Sequence, residues 1–564
     1  MKTHRFTLQT YITQVLTVLA LMLKAASVQA QSVTVTAKRV FQTTGQGNTA
    51  APILRLKITN NTDTDAVLLH ADIAATDAAR RNSRSLALYT TPTIEYYATR
   101  QPMMLGTVNT KQLGTHMPPA DIGIPADMQY HLMAVRYGGY RLPKGISYLW
   151  LTADIKPNAT LGEYVDATVL QLRMRTSNGE VVVKPDMRHT QYDVPGLRIY
   201  RTQTFPYVPT TDKCRFYRIP GMTLNADGDI VITADRRYNS QADLGNHKID
   251  VSLRRSHDGG RTWTPQQLIA IGDSATTDGF GYGDASLVRA KSGRLLCLSI
   301  GSKYWSFDGQ GGLTLTTSDD GGRTWSPVRN LRRKNFTDAT HNLVDSIGFF
   351  SLFCASGRSL CTADGTIMAV AACLDKKGDR TFSDYLLSST DEGETWTLGP
   401  ACAYHQGDEA KLVQMNDGSL LISSRKTKGN RGFNRGSSDG RQWQQQYDDP
   451  HMPANACNAD ILYYSRSTQR QPDIMLHTGI ITHDRHGLRL WMSIDEGHTW
   501  HPVTDIQQGG AAYSTMERLP NGDLAILYED DSYNAGNGYY INFVTLTRQQ
   551  ILGWYEQLRA QGSN

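Results

Sequence analysis

The sequence lacks three features that mark common classes of protein. No stretch reaches 18 consecutive apolar residues, so no transmembrane helix is predicted. Its 7 cysteines include no CxxC pair, which disfavours a zinc or thioredoxin-like site, and we assign them to packing. Its 58 Lys and Arg exceed its 53 Asp and Glu by only 5, without a basic run, so nucleic acid is not an expected partner. No metal or organic cofactor is predicted.

Residues 1–30 have the features of a signal peptide. Lys2 and Arg5 give a positive start, Val15–Leu23 is an apolar core, and Val28–Ala30 is a small-residue cleavage site. The apolar core is too short to span a bilayer. We expect a mature chain that begins near Gln31 and is exported to the periplasm, the cell surface or the medium.

Residues 31–197 alternate between apolar and polar side chains in several short runs separated by turn residues. This pattern predicts a β-sandwich domain. One hypothesis for this domain is carbohydrate binding. Tyr96, Tyr97 and Trp150 are its candidates for stacking on a sugar, but packing is the favoured role for all three.

An octet with the pattern Ser-x-Asp-x-Gly-x-Thr-Trp, here called an Asp box, repeats beyond residue 198. Four full copies occur, and a fifth, Ser437–Trp443, is one residue short. The full copies are Ser256–Trp263, Ser318–Trp325, Ser389–Trp396 and Ser493–Trp500. Each copy places Asp and Gly in a tight turn, and such self-similarity is typical of repeat architectures.

A second repeat, a glycine turn followed by an apolar strand, alternates with the Asp boxes. Asp-Gly and Asn-Gly pairs such as Asp227-Gly228 and Asn521-Gly522 predict two-residue hairpins. Six such units of about four strands each fit residues from about 200 to 547 and predict a six-bladed β-propeller, in a domain that spans residues 198–564 with a C-terminal helix. Thr547–Ala560 is predicted to be a helix whose apolar face carries Ile551, Trp554, Tyr555 and Leu558. The fold class is therefore all-β.

When each predicted hairpin is counted from its turn glycine, polar residues fall at similar distances from the turn in different predicted blades. We call this common position one level of the blades. Opposite positions of a hairpin pair across the ladder, so these residues should converge at one mouth of the propeller axis. Solvated strand ends are the alternative, although neighbouring positions are apolar. The residues at or next to this level are Arg218, Asp235, Arg237, Asp284, Ser356, Glu409, Arg425, Tyr513 and Glu529.

The segment Tyr217-Arg218-Ile219-Pro220 precedes the Asp boxes. With the boxes and the later acidic and tyrosine motifs, residues 205–547 closely resemble bacterial exo-α-sialidases of glycoside hydrolase family 33. The N-terminal domain is similar, more loosely, to the β-sandwich of some sialidases of the Bacteroidetes.

This resemblance implies three arginines that bind the carboxylate of sialic acid. The planar guanidinium fork suits a carboxylate and stays charged. Arg218 and Arg425 match the first two. Arg485 is the choice for the third, with Arg489 as the alternative, and Glu529 matches the acid that neutralises the first arginine.

The resemblance also implies the reacting groups. Tyr513 matches the nucleophile, which sialidases use in place of the usual carboxylate. A neutral phenol is not repelled by the substrate's own carboxylate, but it needs a base, and Glu409 matches that base. Asp243 matches the general acid/base, with Asp250 and Asp235 as alternatives.

Further residues are candidates for contact with the sugar. Arg237 matches an arginine on the side of the 4-hydroxyl, and Asp284 shares the level of the reacting groups. Tyr304, Trp305 and Phe353 are weaker candidates for an N-acetyl pocket, since packing is favoured for each.

The predicted function is that of a retaining exo-α-sialidase. Such an enzyme releases terminal sialic acid from glycoproteins, glycolipids and oligosaccharides through a covalent tyrosyl–sialoside intermediate. The alternatives are a trans-sialidase and a non-catalytic, sialoglycan-binding propeller. The latter needs no acid, base or tyrosine.

Overall fold

The polypeptide is almost entirely β-structure in a computed structural model. The model describes residues 32–116, 124, 128–187, 196–244, 247–273, 281–302, 312–331, 351–374, 381–454, 456–466, 468, 472–482, 484–531 and 538–562. The all-β prediction is confirmed. The predicted signal peptide lies outside these residues. Among them, no helix is long and apolar enough to cross a membrane.

The chain divides into two compact units. The first contains the described residues up to Gln42 and Gln46–Ile199, and the second contains Thr43–Gly45 and the chain from Tyr200 onwards. The boundary predicted at residues 197 and 198 falls beside this division.

The first thirteen strands lie in the first unit, apart from the short second strand and the last residue of the thirteenth. A short helix, α1 (Asp77–Asn82), and 3₁₀ turns at Thr110–Gln112 and Arg136–Gly138 lie between them. The strands are β1 (Val33–Lys38), β2 (Thr43–Gly45), β3 (Ala51–Asn60), β4 (Ala66–Thr76), β5 (Ser83–Thr91), β6 (Met103–Asn109), β7 (Met128–Ala134), β8 (Tyr140–Leu142), β9 (Gly145–Ile155), β10 (Tyr164–Val165), β11 (Ala167–Thr176), β12 (Gly179–Val183) and β13 (Leu197–Tyr200).

The first unit is built from two antiparallel sheets. Their strand orders are β1-β3-β9-β5-β6 and β12-β11-β4-β7, with β8 beside β4. Strand β11 contacts β3 and β9 of the other sheet, and the β-sandwich stays a prediction. Trp150 and Tyr96 are buried, and their polar atoms donate to Thr91 Oγ1 (2.9 Å) and the Ala50 carbonyl (2.9 Å). Both side chains therefore pack in the core, as favoured.

The second unit contains the remaining strands and the C-terminal helix α2 (Arg548–Gly562). The strands are β14 (Thr202–Tyr207), β15 (Phe216–Leu224), β16 (Ile230–Arg237), β17 (Ile249–Ser256), β18 (Gln267–Ala270), β19 (Gly281–Arg289), β20 (Leu295–Ser302), β21 (Gly312–Ser318), β22 (Arg329–Asn330), β23 (Ser351–Cys354), β24 (Gly357–Arg358), β25 (Leu360–Cys361), β26 (Ile367–Leu374), β27 (Ser383–Ser389), β28 (Thr397–Leu398), β29 (Ala410–Gln414), β30 (Leu420–Ser424), β31 (Asn430–Gly436), β32 (Tyr447–Pro453), β33 (Asp460–Ser465), β34 (Ile474–Ile480), β35 (His486–Ser493), β36 (His501–Arg518), β37 (Leu524–Asp530) and β38 (Tyr540–Leu546).

These strands form antiparallel sets of four. The first four sets are β15–β18, β19–β22, β23 with β26–β28, and β29–β32; β24 pairs with β19 and β25 with β26. The last sheet has seven strands in the order β33-β34-β35-β36-β37-β38-β14. Its long strand β36 pairs with β35 over its first part and with β37 over its second. The sheet thus divides into a fifth and a sixth set that share β36.

The apolar core lies between successive sets. Each of six buried clusters combines residues of two sets, and burying one such side chain contributes about 1.5–3 kcal/mol. One residue from each partner set is Val251 with Leu287, Leu298 with Ile367, Val370 with Leu412, Leu421 with Ile461, Leu476 with Ile526, and Leu527 with Ile232.

Helix α2 packs on this core as predicted. Ile551 is fully buried, and Trp554, Tyr555 and Leu558 pack beside it. Thr547 begins the helix with reciprocal bonds to Gln550: its hydroxyl accepts the Gln550 N–H (3.2 Å), and its own N–H donates to Gln550 Oε1 (3.0 Å).

None of the seven cysteines, all of which lie in the described residues, forms a disulfide bond. Five of the seven are buried and two are half-buried, which agrees with the packing role.

The predicted two-residue hairpins are wrong in loop length. At the first turn the Gly228 N–H donates to the Asn225 carbonyl (3.1 Å) and the Asn225 N–H donates to the Asp229 carbonyl (3.0 Å), which leaves three residues in the loop. Gly228 has φ +86°. This is a type I turn followed by a left-handed glycine, which the same Asp-Gly pair also suits. The turns at Gly293, Gly365, Gly418 and Gly522 have the same bonds, so their strands remain aligned with one another.

The Asp boxes have a common hydrogen-bond pattern. In the third box, Asp391 accepts from the Ser389 hydroxyl (2.8 Å) and from the backbone N–H (2.9 Å) and hydroxyl (2.5 Å) of Thr395. Burial acts to raise the pKa of Asp391, but these bonds outweigh it and lower the pKa. In the short fifth copy, Asp439 accepts from the Ser437 hydroxyl and the Arg441 N–H, without a threonine hydroxyl.

The Asp391→Asn substitution should lower the free energy of unfolding by about 0.5–1.5 kcal/mol, since charge-assisted bonds are lost but the carboxylate is exposed to solvent, which screens its charge. The matched change Asp439→Asn removes fewer bonds and should cost less. Urea denaturation at neutral pH measures both. Because the folded-state pKa of Asp391 is depressed, its contribution is present at neutral pH and disappears as the pH falls through that pKa. Equal losses in the two variants at neutral pH would contradict this account.

Candidate active site

The predicted level of polar residues exists in the structure. Glu409 lies opposite Arg425, whose N–H donates to the Glu409 carbonyl (3.0 Å). Three other strands break their register beside this level: β15 between Arg218 and Gly221, β19 between Gly283 and Ser286, and β36 between Ala511 and Ser514.

These bulges redirect side chains at the ends of the strands. Ile219 and Asp284 have φ of +60° and +53°, a left-handed conformation that is unusual for residues other than glycine. Tyr513 lies within the bulge of β36. The sequence carried no signal for the bulges.

Glu529 on β37 links three backbone segments of the site. Its carboxylate accepts from Arg218 Nε (2.7 Å) and Nη2 (3.3 Å), and from the backbone N–H groups of Ile219 (2.8 Å) and Tyr513 (3.2 Å). Glu529 is fully buried and Arg218 is 8% exposed. The predicted ion pair between the two is present.

Three guanidinium groups surround the ring of Tyr513. The Cζ atoms of Arg218, Arg485 and Arg425 lie 5.3, 5.6 and 5.9 Å from its centroid. The three arginines come from segments far apart in the chain. Tyr539, which the sequence did not single out, also lies beneath Arg218 at 5.0 Å.

The choice between the two late arginines follows from their positions. Arg485 has φ +61°, donates to the Ala456 carbonyl (2.7 Å), and forms no ion pair with a carboxylate in the described part of the chain. Arg489 pairs with Asp505 (2.5 Å) and packs on Trp491. Of the two, only Arg485 lies beside Tyr513.

Tyr513 and Glu409 form a hydrogen-bonded phenol–carboxylate pair. The Tyr513 hydroxyl donates to Glu409 Oε2 (2.5 Å), and Arg425 Nη1 contacts both the hydroxyl oxygen (2.6 Å) and Oε2. Burial raises the pKa of Tyr513 well above its usual value, while Arg425 acts against it and the Glu409 charge adds to it. Burial also acts to raise the pKa of Glu409, but Arg425 and the bond from Tyr513 lower it. These shifts favour a neutral phenol at Tyr513 and an ionised carboxylate at Glu409.

Asp243 is exposed at the edge of the site on a loop after β16. Arg237 Nη1 donates to its carboxylate (2.9 Å) and to the carbonyls of Gln241 (2.6 Å) and Ala242 (3.1 Å). Burial acts to raise the pKa of Asp243, but Arg237 and Arg218 outweigh it and lower the pKa.

The two alternatives to Asp243 have other partners. Asp235 is fully buried and accepts from Arg237 Nη2 (2.8 Å). Asp250 is fully buried and accepts from the Tyr238 hydroxyl (2.5 Å) and the Gly272 N–H (2.8 Å). Arg237 itself is buried, with its nitrogens bonded to Asp235 and the Asp243 loop, so it holds that loop. Its contact with substrate stays a prediction.

A cavity of about 180 Å³ lies beside Asp243, Glu409, Arg425 and Tyr513. Asp284 lines it, and burial together with the neighbouring Asp235 and Glu409 raises the pKa of Asp284 well above its usual value. Phe353 lines it too, with its ring edge-on to Phe382 at 5.3 Å. Tyr304 and Trp305 lie outside the described residues. The remaining lining residues are Ile219, Asp243, Asp408, Glu409, Arg425 and Tyr513.

Sequence reasoning missed several residues of the site. Asp408 pairs with Arg425 Nε (3.3 Å) and directly precedes Glu409, a proximity that could have been noticed. Phe382 carried no sequence signal. Among the described residues, no group of three or more His, Cys, Asp or Glu side chains is placed to hold a metal ion.

A family model described as a BNR repeat-like domain matches residues 239–526, just over half of the chain. The chain belongs to this family. Its curated relatives in the comparison include bacterial sialidases. The sialidase of Micromonospora viridifaciens is 29% identical over 336 residues, covering 56% of this chain and 50% of that protein. The sialidase of Bacteroides fragilis (strain YCH46) is 25% identical over 418 residues, covering 70% of this chain and 72% of that protein.

The expected bacterial sialidase family is therefore confirmed, although the chain matches only half the length of the Micromonospora relative. The solved structure of the Hadza microbial sialidase Hz136 has the same fold. It aligns with a TM-score of 0.63 at 20% identity, covering 91% of this chain and 99% of that one.

In this BNR-repeat chain, Glu529→Ala should lower the free energy of unfolding by about 3–5 kcal/mol, because it leaves a buried arginine without its counter-charge. The matched change Asp505→Ala, at the more exposed pair with Arg489, should cost about 1 kcal/mol or less. Chemical denaturation measures both. Similar small losses would show that Arg218 does not depend on Glu529.

Proposed function

We propose that this protein is a retaining exo-α-sialidase that releases terminal sialic acid from glycoproteins, glycolipids and oligosaccharides. The observation that carries the proposal is the clustering of three guanidinium groups around a tyrosine whose hydroxyl is bonded to a buried glutamate. The sialidase relatives support the same substrate class.

The arginines supply the binding site for the substrate's carboxylate. Arg485 has no carboxylate partner in the described part of the chain, and Arg218 and Arg425 have neighbouring acids that stabilise them in the buried site. Charge-assisted bonds from such forks are the strong ones among hydrogen bonds. A sugar held by its C2 carboxylate would have C2 beside the Tyr513 oxygen.

Tyr513 is the proposed nucleophile and Glu409 its base. As the phenol oxygen forms a bond to C2, its proton passes to Glu409, and the bond from C2 to the departing sugar breaks. In the second step a water oxygen bonds to C2, the Tyr513–C2 bond breaks, and Glu409 returns the proton to the phenolate. Two displacements at C2 give net retention of configuration.

Asp243 is the proposed acid and then base. It protonates the leaving oxygen in the first step and takes a proton from water in the second. Its exposed place at the cavity edge suits contact with a departing glycan. The arginines that depress its pKa are neutralised in part when the substrate carboxylate binds, which favours the protonated form.

The cavity supports an exo mode of action. Its small volume suits one sugar unit, and Phe353 with Phe382 offers an apolar wall for an N-acetyl methyl group. Arg237 and Asp284 are proposed to lie near the substrate's hydroxyl groups.

The proposed scaffold of this site is a six-bladed propeller, with each set of strands as one blade. The six apolar clusters connect the sets in a closed cycle, and β14 completes the last blade. A second cycle of polar contacts connects the same sets: Asp235 with Asp284, Ser286 with Ser359, Ser356 with Glu409, Lys411 with Asn458, Asp460 with Thr515, and Glu529 with Arg218. Export through the predicted signal peptide remains part of the proposal.

Tyr513→Phe should abolish steady-state turnover of a fluorogenic sialoside, because the ring is kept while the nucleophilic oxygen is lost. Tyr464→Phe is the matched control, since its hydroxyl bonds to the Gly522 carbonyl away from the site. NMR of the first-released sugar should show the α-anomer for the wild-type protein. Full activity in Tyr513→Phe would end the proposed mechanism. A wild-type protein that binds sialosides without turnover would favour the lectin alternative.

Asp243→Ala should reduce kcat on natural sialosides by about 10²–10⁴-fold, since the leaving oxygen is no longer protonated. The loss should be smaller with an aryl sialoside, whose leaving group needs less help. The control is Asp319→Ala, a surface acid paired with Arg294. Equal losses on both substrates would contradict an acid role. Adding lactose to the wild-type reaction separates hydrolysis from trans-sialidase activity by the product formed.

A further inference from the structure

The two carboxylate oxygens of Glu409 have separate sets of partners. Oε2 faces Tyr513 and Arg425, the groups already assigned to the reaction. Oε1 accepts from the Ser356 hydroxyl (2.9 Å), and Asn458 Nδ2 approaches the same oxygen at 3.4 Å. Ser356 and Asn458, which do not line the cavity, therefore hold Glu409 in place through its second carboxylate oxygen.

A buried lysine is the first residue in the series of hydrogen bonds that leads to Oε1 of Glu409. Lys411 is 1% exposed, and its Nζ donates to Asn458 Oδ1 (2.8 Å). Asn458 Nδ2 donates in turn to Ser356 Oγ (2.9 Å), whose hydroxyl donates to Glu409. Asn458 Nδ2 also donates to the Ser356 carbonyl (3.0 Å). Along the path through the Ser356 hydroxyl the donors all run toward the carboxylate, so each bond polarises the next in the same direction.

Within the described residues Lys411 forms no ion pair with a carboxylate, although the charges of Asp460 and Glu409 both act to raise its pKa. The neighbouring Asp460 already accepts from Arg358 Nε (3.0 Å), the Thr515 hydroxyl (3.1 Å) and the Met516 N–H (2.7 Å). Burial lowers the pKa of Lys411 to about 8, which leaves it largely protonated at neutral pH.

The backbone makes room for this lysine. A Cβ on Gly357 would lie 3.1 Å from Lys411 Cε and 3.4 Å from Nζ, and Gly357 has φ +101°. A buried, charged lysine is costly unless something is gained from it.

We propose that Lys411, Asn458 and Ser356 form a relay that holds Glu409 ionised and oriented, so that Oε2 accepts the proton of Tyr513. The three are positioning residues, because they act through Glu409. The inference deepens the proposed function and rests on it.

Other charged and titratable groups also act on Glu409. Arg425 and Arg431 are the further cations near it, and the remaining groups are Asp284, Asp384, Asp408, Cys457 and Tyr513. The test must therefore compare variants that leave these groups unchanged.

Lys411→Met keeps the unbranched side chain as far as Cε and removes the charged amino group. Because a nearby cation favours the ionised carboxylate, its loss should move the acid limb of the kcat/KM profile upward by about one pH unit. On that limb kcat/KM should fall about tenfold, since one unit is tenfold in the ionised fraction. Ser356→Ala should shift the limb in the same direction by less. Lys291→Met, which removes an exposed lysine bonded to the Ala363 carbonyl, should leave the profile unchanged.

A double-mutant cycle on stability decides the inference independently of turnover. Lys411→Met should change the free energy of unfolding by different amounts in the wild type and in Glu409→Gln, because the charge it removes acts on the Glu409 carboxylate. If the wild type hydrolyses no sialoside, the proposed function fails while this cycle still reports on the relay. Additive effects, or an unshifted acid limb in an active and folded Lys411→Met, would overturn it.

Discussion

The site depends on one constraint: three positively charged guanidinium groups lie close together around the ring of Tyr513. Arg218, Arg425 and Arg485 all lie within 6 Å of the centre of the Tyr513 ring, where their mutual repulsion is poorly screened. The cluster is stable because buried carboxylates offset part of this charge. Glu529 provides one of them, and it also fixes the backbone N–H groups on either side of the site.

The same balance sets the protonation states. In a buried site the local charges decide which groups ionise, and here they keep Glu409 charged and Tyr513 neutral. A carboxylate at the position of Tyr513 would bring a further negative charge toward the anionic substrate that we propose for this site. A neutral phenol avoids that repulsion, but it needs a base in hydrogen-bond contact with its hydroxyl group to accept the proton.

Much of this protein was predictable from local patterns. The Asp boxes and turn glycines repeat because each strand set needs the same tight turns, and counting from the glycines placed Glu409 opposite Arg425. The loop length was wrong because one Asp-Gly pair suits both a two-residue hairpin and a type I turn with a left-handed glycine. The choice of Arg485 needed coordinates, since Arg485 and Arg489 have equally plausible spacing along the chain.

The sequence by itself determined the strand repeats, because short-range turn chemistry and hydrophobic alternation depend on neighbouring residues. Its resemblance to sialidases indicated the family and most of the residues that meet at the site. Only the tertiary structure decided which way these side chains point and which groups neutralise their charges. The bulges at Ile219, Asp284 and Tyr513, and the partners Asp408, Lys411 and Asn458, come from contacts between distant segments. Such contacts depend on packing and charge balance in three dimensions, which no local pattern encodes.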